Sequence, residues 1–520
     1  MHTRIPVPSM RTRHDAQEPL PAIIQGGMGI AVSDWRLAGA VSRAGQLGVV
    51  SGTALEVVCA RRLQDGDPGG HVRRALAAFP VRDIAEWILA AYFVDGGRAP
   101  TEPYRAVPRF TLEPSTRLQQ LVVVANFVEV FLAKEAGLGR PVGINYLRKI
   151  EMPLPASVYG ALLAGVDYIL MGAGNPGELP ELARRLSRHE DVSMPVRVQG
   201  AGSGDGPFQL DFSPQQEVGA DRVPLRLPRI VAIVASVDLA RALAGDEATR
   251  PDGFVLEGPS AGGHNAPPRG PRRTDEQGQP VYDERDHVEL SDVVAIGLPV
   301  WAAGGYGSRD GLRAAMRAGA MGVQVGTVFA FCAESGLDSV VKERALKEIG
   351  RSALSSRSDW RCSPTGFPFR VVGLDGTLSD PAVLEARIPV CDLGMLRSPY
   401  VKPDGAVGYR CPAEPPEVYT GRKSGRAANA EGRVCLCNAL MSSAGFAQSR
   451  RSGYVEPPLV TAGSDLGAVR AFLPRSGSPA RPYSAADVID GLLEIGALDD
   501  VLDDVLAGYV VDVLELAGRP

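Results

Sequence analysis

Residues 1 to 19 hold no continuous apolar core: Arg4, Arg11, Arg13, Asp15 and Glu18 break the stretch, so it does not read as an export signal and a cytoplasmic protein is expected. Long hydrophobic runs are missing too. The longest, Leu121 to Ala133, is interrupted by Asn126 and Glu129 and is too short to cross a bilayer, so it reads as a barrel helix and no membrane partner is expected. Basic charge is not in excess. With 55 Lys and Arg against 60 Asp and Glu, a net charge of -5 and no basic patch interleaved with aromatics, a nucleic-acid partner is excluded in favour of a small-molecule or carrier-bound substrate. Cysteine is scarce. Seven in 520 residues, with no Cys-x-x-Cys pair, do not make a disulfide framework and point to reduced thiols. Five of them, Cys362, Cys391, Cys411, Cys435 and Cys437, fall in one C-terminal stretch. Structural thiols are the expectation there and a metal or cluster site the alternative, so no metal ligand is assigned.

What the sequence has in quantity is glycine, 60 residues of it, in a chain that is 45% hydrophobic and 22% charged. From Pro21 to about Phe331, short β-branched runs ending in glycine or a polar residue alternate with helical patterns, the rhythm of parallel βα units. Eight runs are counted: Ala22 to Gln25, Leu47 to Ser51, Val142 to Asn145, Tyr168 to Met171, Ile230 to Ala235, Gly253 to Glu257, Val300 to Ala303 and Gly322 to Val325. Eight such units predict an α/β fold of the TIM (β/α)8 barrel class over residues 20–335, with the chemistry at the loops that follow the strand C-termini. Insertions are expected at 53–141, with a helix near Leu118 to Glu135, at 196–225 as a small hairpin, and at 265–289 as a proline-rich loop over the pocket. Residues 336–520 read as a cysteine-containing cap, irregular to about 480, closed by helices near Ala485 to Ile495 and Leu498 to Leu516 that pack back on the barrel.

Glycine recurs at nearly every strand end, where a backbone must approach something closely. The turns Gly304-Gly305 and Gly326-Thr327 follow strands seven and eight, and Asp310 to Met316 begins the next helix. Barrels commonly build a phosphate site there from backbone N–H groups and a helix N-terminus. The phosphate of FMN satisfies that description, with a sugar phosphate or nucleoside monophosphate as competitors. Gln25, Gly26, Gly27 and Met28 would approach the ring, and Asn145 would offer an amide to its polar edge. His264 ends strand six beyond Gly262 and Gly263; an imidazole there can move a proton beside a redox cofactor, or else bond a loop carbonyl. Tyr146 and Tyr306 line the mouth or pack in the core.

The segments Ile23-Ile24-Gln25-Gly26-Gly27-Met28-Gly29, Glu257-Gly258-Pro259-Ser260-Ala261-Gly262-Gly263-His264, Ala302-Ala303-Gly304-Gly305 and Gly322-Val323-Gln324-Val325-Gly326-Thr327 resemble the signature motifs of the nitronate monooxygenase family, formerly 2-nitropropane dioxygenases. The resemblance covers about residues 20 to 335. It implies FMN, a barrel, and oxidation of an alkyl nitronate by O2 through the flavin with His264 as acid/base. By position it implies FMN contacts from Gln25, Gly26, Gly27, Met28, Asn145, Gly262, Gly263, Gly304, Gly305, Gly326 and Thr327. The sequence departs from compact members in the excursion before strand five, in the insertion after His264 and in the C-terminal region, all of which bear on pocket and substrate. The same motifs resemble FMN- and NAD(P)H-dependent enoyl reductases that act on acyl thioesters in fatty acid or polyketide synthesis. A flavin-binding interaction protein with vestigial chemistry is a third reading, and a homo-oligomer is left open.

Overall fold

The computed structural model describes residues 19–202, 204–219, 223–474 and 481–493. Eight parallel strands close a barrel: Ile23–Gln25, Leu47–Ser51, Val142–Leu147, Tyr168–Gly172, Arg229–Val234, Gly253–Glu257, Val300–Ala303 and Gly322–Val325. Closure is made by the first strand against the eighth, with Ile23 opposite Val323, Ile24 opposite Gln324 and Gln25 opposite Val325. Strand order follows the chain around the barrel, as connections through helices require. Val49, Leu170, Val231, Val255 and Trp301 are buried together within one cluster that spans the strands, and Trp301 donates its indole N–H to the Pro21 carbonyl at 2.7 Å. The fold is therefore the TIM barrel that the sequence predicts, with strand ends displaced by no more than two residues.

Thr116–Ala136 is the one helix among the described residues long and apolar enough to cross a membrane. Here it packs between the helices Trp35–Arg43 and Leu154–Leu163 as part of the core. Its two polar interruptions are partnered, which is why they are tolerated. Glu129 binds Arg62, which also bridges to Asp34 at 3.1 Å, and Asn126 accepts from the Tyr146 hydroxyl at 2.9 Å.

Two expectations need adjustment. The hairpin before strand five pairs Val192–Pro195 with Gln209–Phe212, so its first strand starts before the predicted insertion at 196. The C-terminal region is more regular than its composition suggests: it holds the helix Ser339–Gly350, the paired strands Ser356–Asp359 and Phe369–Val372, the hairpin Ser398–Val401 with Val407–Arg410, and the helix Leu436–Ser443. Of the closing helices, Ala485–Leu493 packs against the barrel side at Trp35–Arg43 and Arg309–Arg317; Leu498 to Leu516 lies outside the described residues.

Candidate functional site

A cavity opens at the C-terminal ends of the barrel strands, where βα loops converge. It is lined by Gly26, Gly27, Met28, Asn145, Gly262, Gly263, His264, Gly304, Gly305, Gly326 and Thr327, which is every sequence-predicted site residue except Gln25. Gln25 is fully buried beneath the first loop. Its amide donates to Ser33 Oγ at 2.8 Å and to the Val49 carbonyl at 3.3 Å, and its Oε1 accepts from Val49 N at 3.2 Å, so it fixes the loop that forms the wall. Tyr306 lines the cavity, whereas Tyr146 is buried with its hydroxyl turned to Asn126 and the Ser157 carbonyl.

The Gly304-Gly305 and Gly326-Thr327 turns, expected from the sequence to cradle a phosphate, present backbone to the cavity. Gly304 and Gly305 both adopt positive φ (89° and 82°), and a Cβ on Gly304 would sit 2.8 Å from Ser260 Oγ. No side chain is accommodated there without strain. The helix Arg309–Arg317 follows directly, capped by Ser308, whose Oγ accepts from Gly311 N at 3.1 Å. Thr327 Oγ1 accepts from Gly463 N at 2.9 Å and keeps its own hydrogen to donate.

Opposite the cradle, a Cβ on Gly27 would come within 2.5 Å of Asn145 Cβ, so only glycine lets the first loop lie against the third strand. Asn145 Oδ1 and Gln324 Oε1 both reach the cavity region buried and without a hydrogen-bond partner among the described residues. Two orphaned acceptors in one cavity are costly unless a ligand supplies donors. Gln324 was not on the sequence-derived site set. Its signal was present, a polar residue in the middle of an otherwise apolar barrel strand.

His264 is held by the C-terminal region. Gly263–His264 pairs antiparallel with the strand Phe369–Val372, setting His264 opposite Phe369, and the two rings meet edge to face at 4.9 Å. Nε2 is 2.7 Å from Ser363 Oγ and 3.3 Å from Thr365 Oγ1, while Nδ1 has no hydrogen-bond partner among the described residues. Burial, with the Lys149 ammonium adding to it, holds the imidazole well below its ordinary pKa, so it is neutral at pH 7. Glu257, at the end of strand six, also lines the cavity; burial pushes its carboxyl up to about 7 against the opposing pull of Lys149. The other described histidines, His71, His189 and His287, do not line this cavity.

The proline-rich insertion 265–289 contributes nothing to the cavity lining, so it is not the pocket cover expected of it. The cover comes instead from Phe369, Met395, Leu396, Leu436, Cys437, Leu440 and the Thr461-Ala462-Gly463 segment. Chain direction explains the difference: after His264 the backbone is drawn outward into the strand pairing with Phe369, and Asn265 N bonds the Pro368 carbonyl at 3.0 Å. Cys411, Cys435 and Cys437 are buried in one apolar cluster with Leu393 and Met395. Among the described residues no group of three or more His, Cys, Asp or Glu side chains is arranged to hold a metal ion.

Comparison with known proteins gives the same direction. The family model of nitronate monooxygenases matches residues 224–358. A nitronate monooxygenase of Paraburkholderia phytofirmans is 30% identical over 187 residues, covering 34% of this chain and 47% of that protein. The (3aS,4S,5R,7aS)-5-hydroxy-7a-methyl-1-oxo-octahydro-1H-indene-4-carboxyl-CoA dehydrogenase of Rhodococcus jostii is 30% identical over 236 residues, covering 42% and 60%. The alignments thus span less than two thirds of these relatives' own length. Among solved structures, FabK from Thermotoga maritima aligns over 94% of this chain and 96% of its own, at 17% identity and a TM-score of 0.45. The matched segment carries barrel strands five to eight, His264 and the Gly304-Gly305 and Gly326-Thr327 turns, and over that segment this chain is similar to the nitronate monooxygenases.

Proposed function

We propose that this chain is an FMN-dependent oxidoreductase of the nitronate monooxygenase type, which oxidises an alkyl nitronate or a related small substrate with O2 and uses His264 for proton transfer. The observation that carries the reading is the gathering of the glycine cradle, two orphaned carboxamide oxygens and a neutral imidazole around one cavity. These residues fit the cofactor. The Gly304-Gly305 and Gly326-Thr327 turns, with the N-terminus of Arg309–Arg317, would hold a phosphate monoester through N–H groups and the Thr327 hydroxyl. Asn145 and Gln324 would accept from the N–H-bearing edge of the ring system. When bound, FMN supplies the exchange of electrons with substrate and dioxygen.

The chain's own part is proton handling, orientation and exclusion of water. With Nε2 engaged by Ser363 and Thr365, Nδ1 of His264 is the nitrogen left to exchange a proton with the bound substrate. Phe369, Leu396, Leu436 and Leu440 wall the cavity with apolar surface, which strengthens each polar contact inside it. Oxygen uptake with an alkyl nitronate, without nicotinamide cofactor, tests the reading; no uptake by FMN-loaded protein across a nitronate series overturns it.

A second reading has its own support. The relative of Rhodococcus is named for an acyl-CoA substrate, and the cap makes one side of the cavity largely apolar, which suits the acyl chain of a thioester in an NAD(P)H-dependent enoyl reductase. Bleaching of the bound flavin by NADPH or NADH and its reoxidation by a 2-enoyl thioester would favour that assignment. In the third, a flavin-binding interaction protein, replacing His264 would change nothing measurable; the intact imidazole and its two hydroxyl partners favour the enzymatic readings.

A further inference from the structure

A smaller pocket adjoins the main cavity, and Ile150 and Met395 line both. It lies where the insertion after strand two meets the C-terminal region, among Val57, Val107, Phe110, Met152 and Leu393. Of the described residues that line it, Glu56 alone has a side chain able to form a hydrogen bond. Glu56 stands in the first turn of the helix Leu55–Gln64 and is only 4% exposed. Among the described residues no other side chain bonds to its carboxyl, which is met only by its own backbone N–H. The charged groups on the elements packed around it are engaged elsewhere: Arg148 with Glu151, Asp392 with Arg450, Arg109 and Arg397 with the Cys391 and Phe110 carbonyls, and Lys149 over the Phe367 ring. Further along its own helix, Arg61 bonds the Phe446 carbonyl, Arg62 pairs with Glu129, and Cys59 is a neutral thiol pushed up to about 12 by burial. Burial raises the Glu56 carboxyl to about 7, so it ionises near neutrality with nothing to pair with. A buried carboxyl in that position gains most from a cation that arrives with a ligand.

We propose that this pocket is a cation subsite that takes the primary ammonium of an aliphatic ligand, the rest of the ligand passing between Ile150 and Met395 into the main cavity. The subsite stands without the oxidoreductase reading, which adds only that the ligand is a substrate. Size selects the head group. The free volume is about 10 Å3, room for one water-sized group, which admits –NH3+ and excludes a guanidinium or a trimethylammonium. Charge selects it as well: a hydroxyl of the same size satisfies the protonated carboxyl, but only an ammonium cancels the ionised form in surroundings of low dielectric. The remaining walls are apolar and suit methylenes, and Met395, unbranched and pliable, is the one that can give way to them.

The test is isothermal titration calorimetry of the full-length protein with butylammonium, with 1-butanol as the uncharged probe and butyltrimethylammonium as the bulky cation. At pH 8, where Glu56 is ionised, wild type is expected to bind butylammonium at least tenfold more tightly than 1-butanol, and butyltrimethylammonium no better than 1-butanol. At pH 5.5 the carboxyl is protonated and the preference for butylammonium should vanish. Glu56→Gln should abolish that preference at pH 8 with 1-butanol binding unchanged, and Glu56→Asp should keep part of it. Glu56→Met serves as the second uncharged variant should the glutamine form not fold. Butylammonium should also shift the methyl NMR resonances of Ile150 and Met395, the two residues shared with the main cavity. Equal binding of butylammonium and 1-butanol at pH 8, tight binding of butyltrimethylammonium, unmoved methyls, or a preference that survives both Glu56→Gln and Glu56→Met overturns the proposal. Calorimetry needs neither flavin nor turnover. A protein that never binds FMN yet shows the Glu56-dependent preference would sink the flavin reading alone, and an FMN-loaded one without the preference would sink this one alone.

Discussion

The His264 imidazole can act as a base at neutral pH because burial and the nearby Lys149 ammonium both keep it unprotonated, while Ser363 and Thr365 fix which nitrogen is free. Replacing it with alanine is expected to lower kcat about 10²- to 10⁴-fold with FMN content unchanged, as judged by stopped-flow kinetics beside the visible spectrum. Glu257 gives a pH-dependent prediction of unusual sign. Its carboxyl is raised from 4.5 to about 7 in the folded chain, so the native state binds more protons than the unfolded one between these values. The stability this contributes is full below 4.5 and lost as the pH rises through 7. Glu257→Gln should therefore raise Tm at pH 8 by about 2 °C or more and change it little at pH 4.5, measured by calorimetry. At Gly304, alanine would combine positive φ with a Cβ 2.8 Å from Ser260 Oγ. FMN affinity should drop at least tenfold, about 1.4 kcal/mol, in a flavin fluorescence titration. Glycine and histidine positions were legible in the sequence because their chemistry is tied to strand ends. Gln25 and Gln324 were not distinguished, since both are polar residues within barrel strands and only packing decides that one props the loop while the other reaches the cavity.

At the level of elements, the eight strands were legible because buried parallel strands write themselves as short β-branched runs ended by glycine. What local pattern could not reveal is the pairing of Gly263–His264 with Phe369–Val372, a contact between segments about a hundred positions apart. The same long separation hid the true cover of the cavity, assigned by sequence to the prolines after His264 and supplied in fact by the C-terminal region, at Phe369 and between 395 and 463. This cap is held by Arg387 and Glu456, paired at 2.5 Å with both side chains almost wholly buried. Breaking such a pair leaves one charge stranded, so Arg387→Ala should destabilise the chain by about 3–5 kcal/mol in urea titrations. Because the cap carries Phe369 and the partners of His264, weakened flavin retention should accompany it.

Across the whole molecule, the barrel supplies the cradle and the C-terminal region supplies the partners and the cover of the imidazole, so neither part forms the cavity alone. A ligand that binds this joint cavity must stabilise both parts together, by an amount that grows with its concentration over Kd. The central claim, that amide-lined turns and two orphaned carboxamides accept FMN in this cavity, is tested most directly by purifying the protein, recording its visible spectrum, and identifying and counting what heat releases. A yellow protein that releases about one FMN per chain is expected, or a colourless one that takes up added FMN with a Kd below about 10 µM. A protein that neither carries FMN nor binds it when supplied would contradict it.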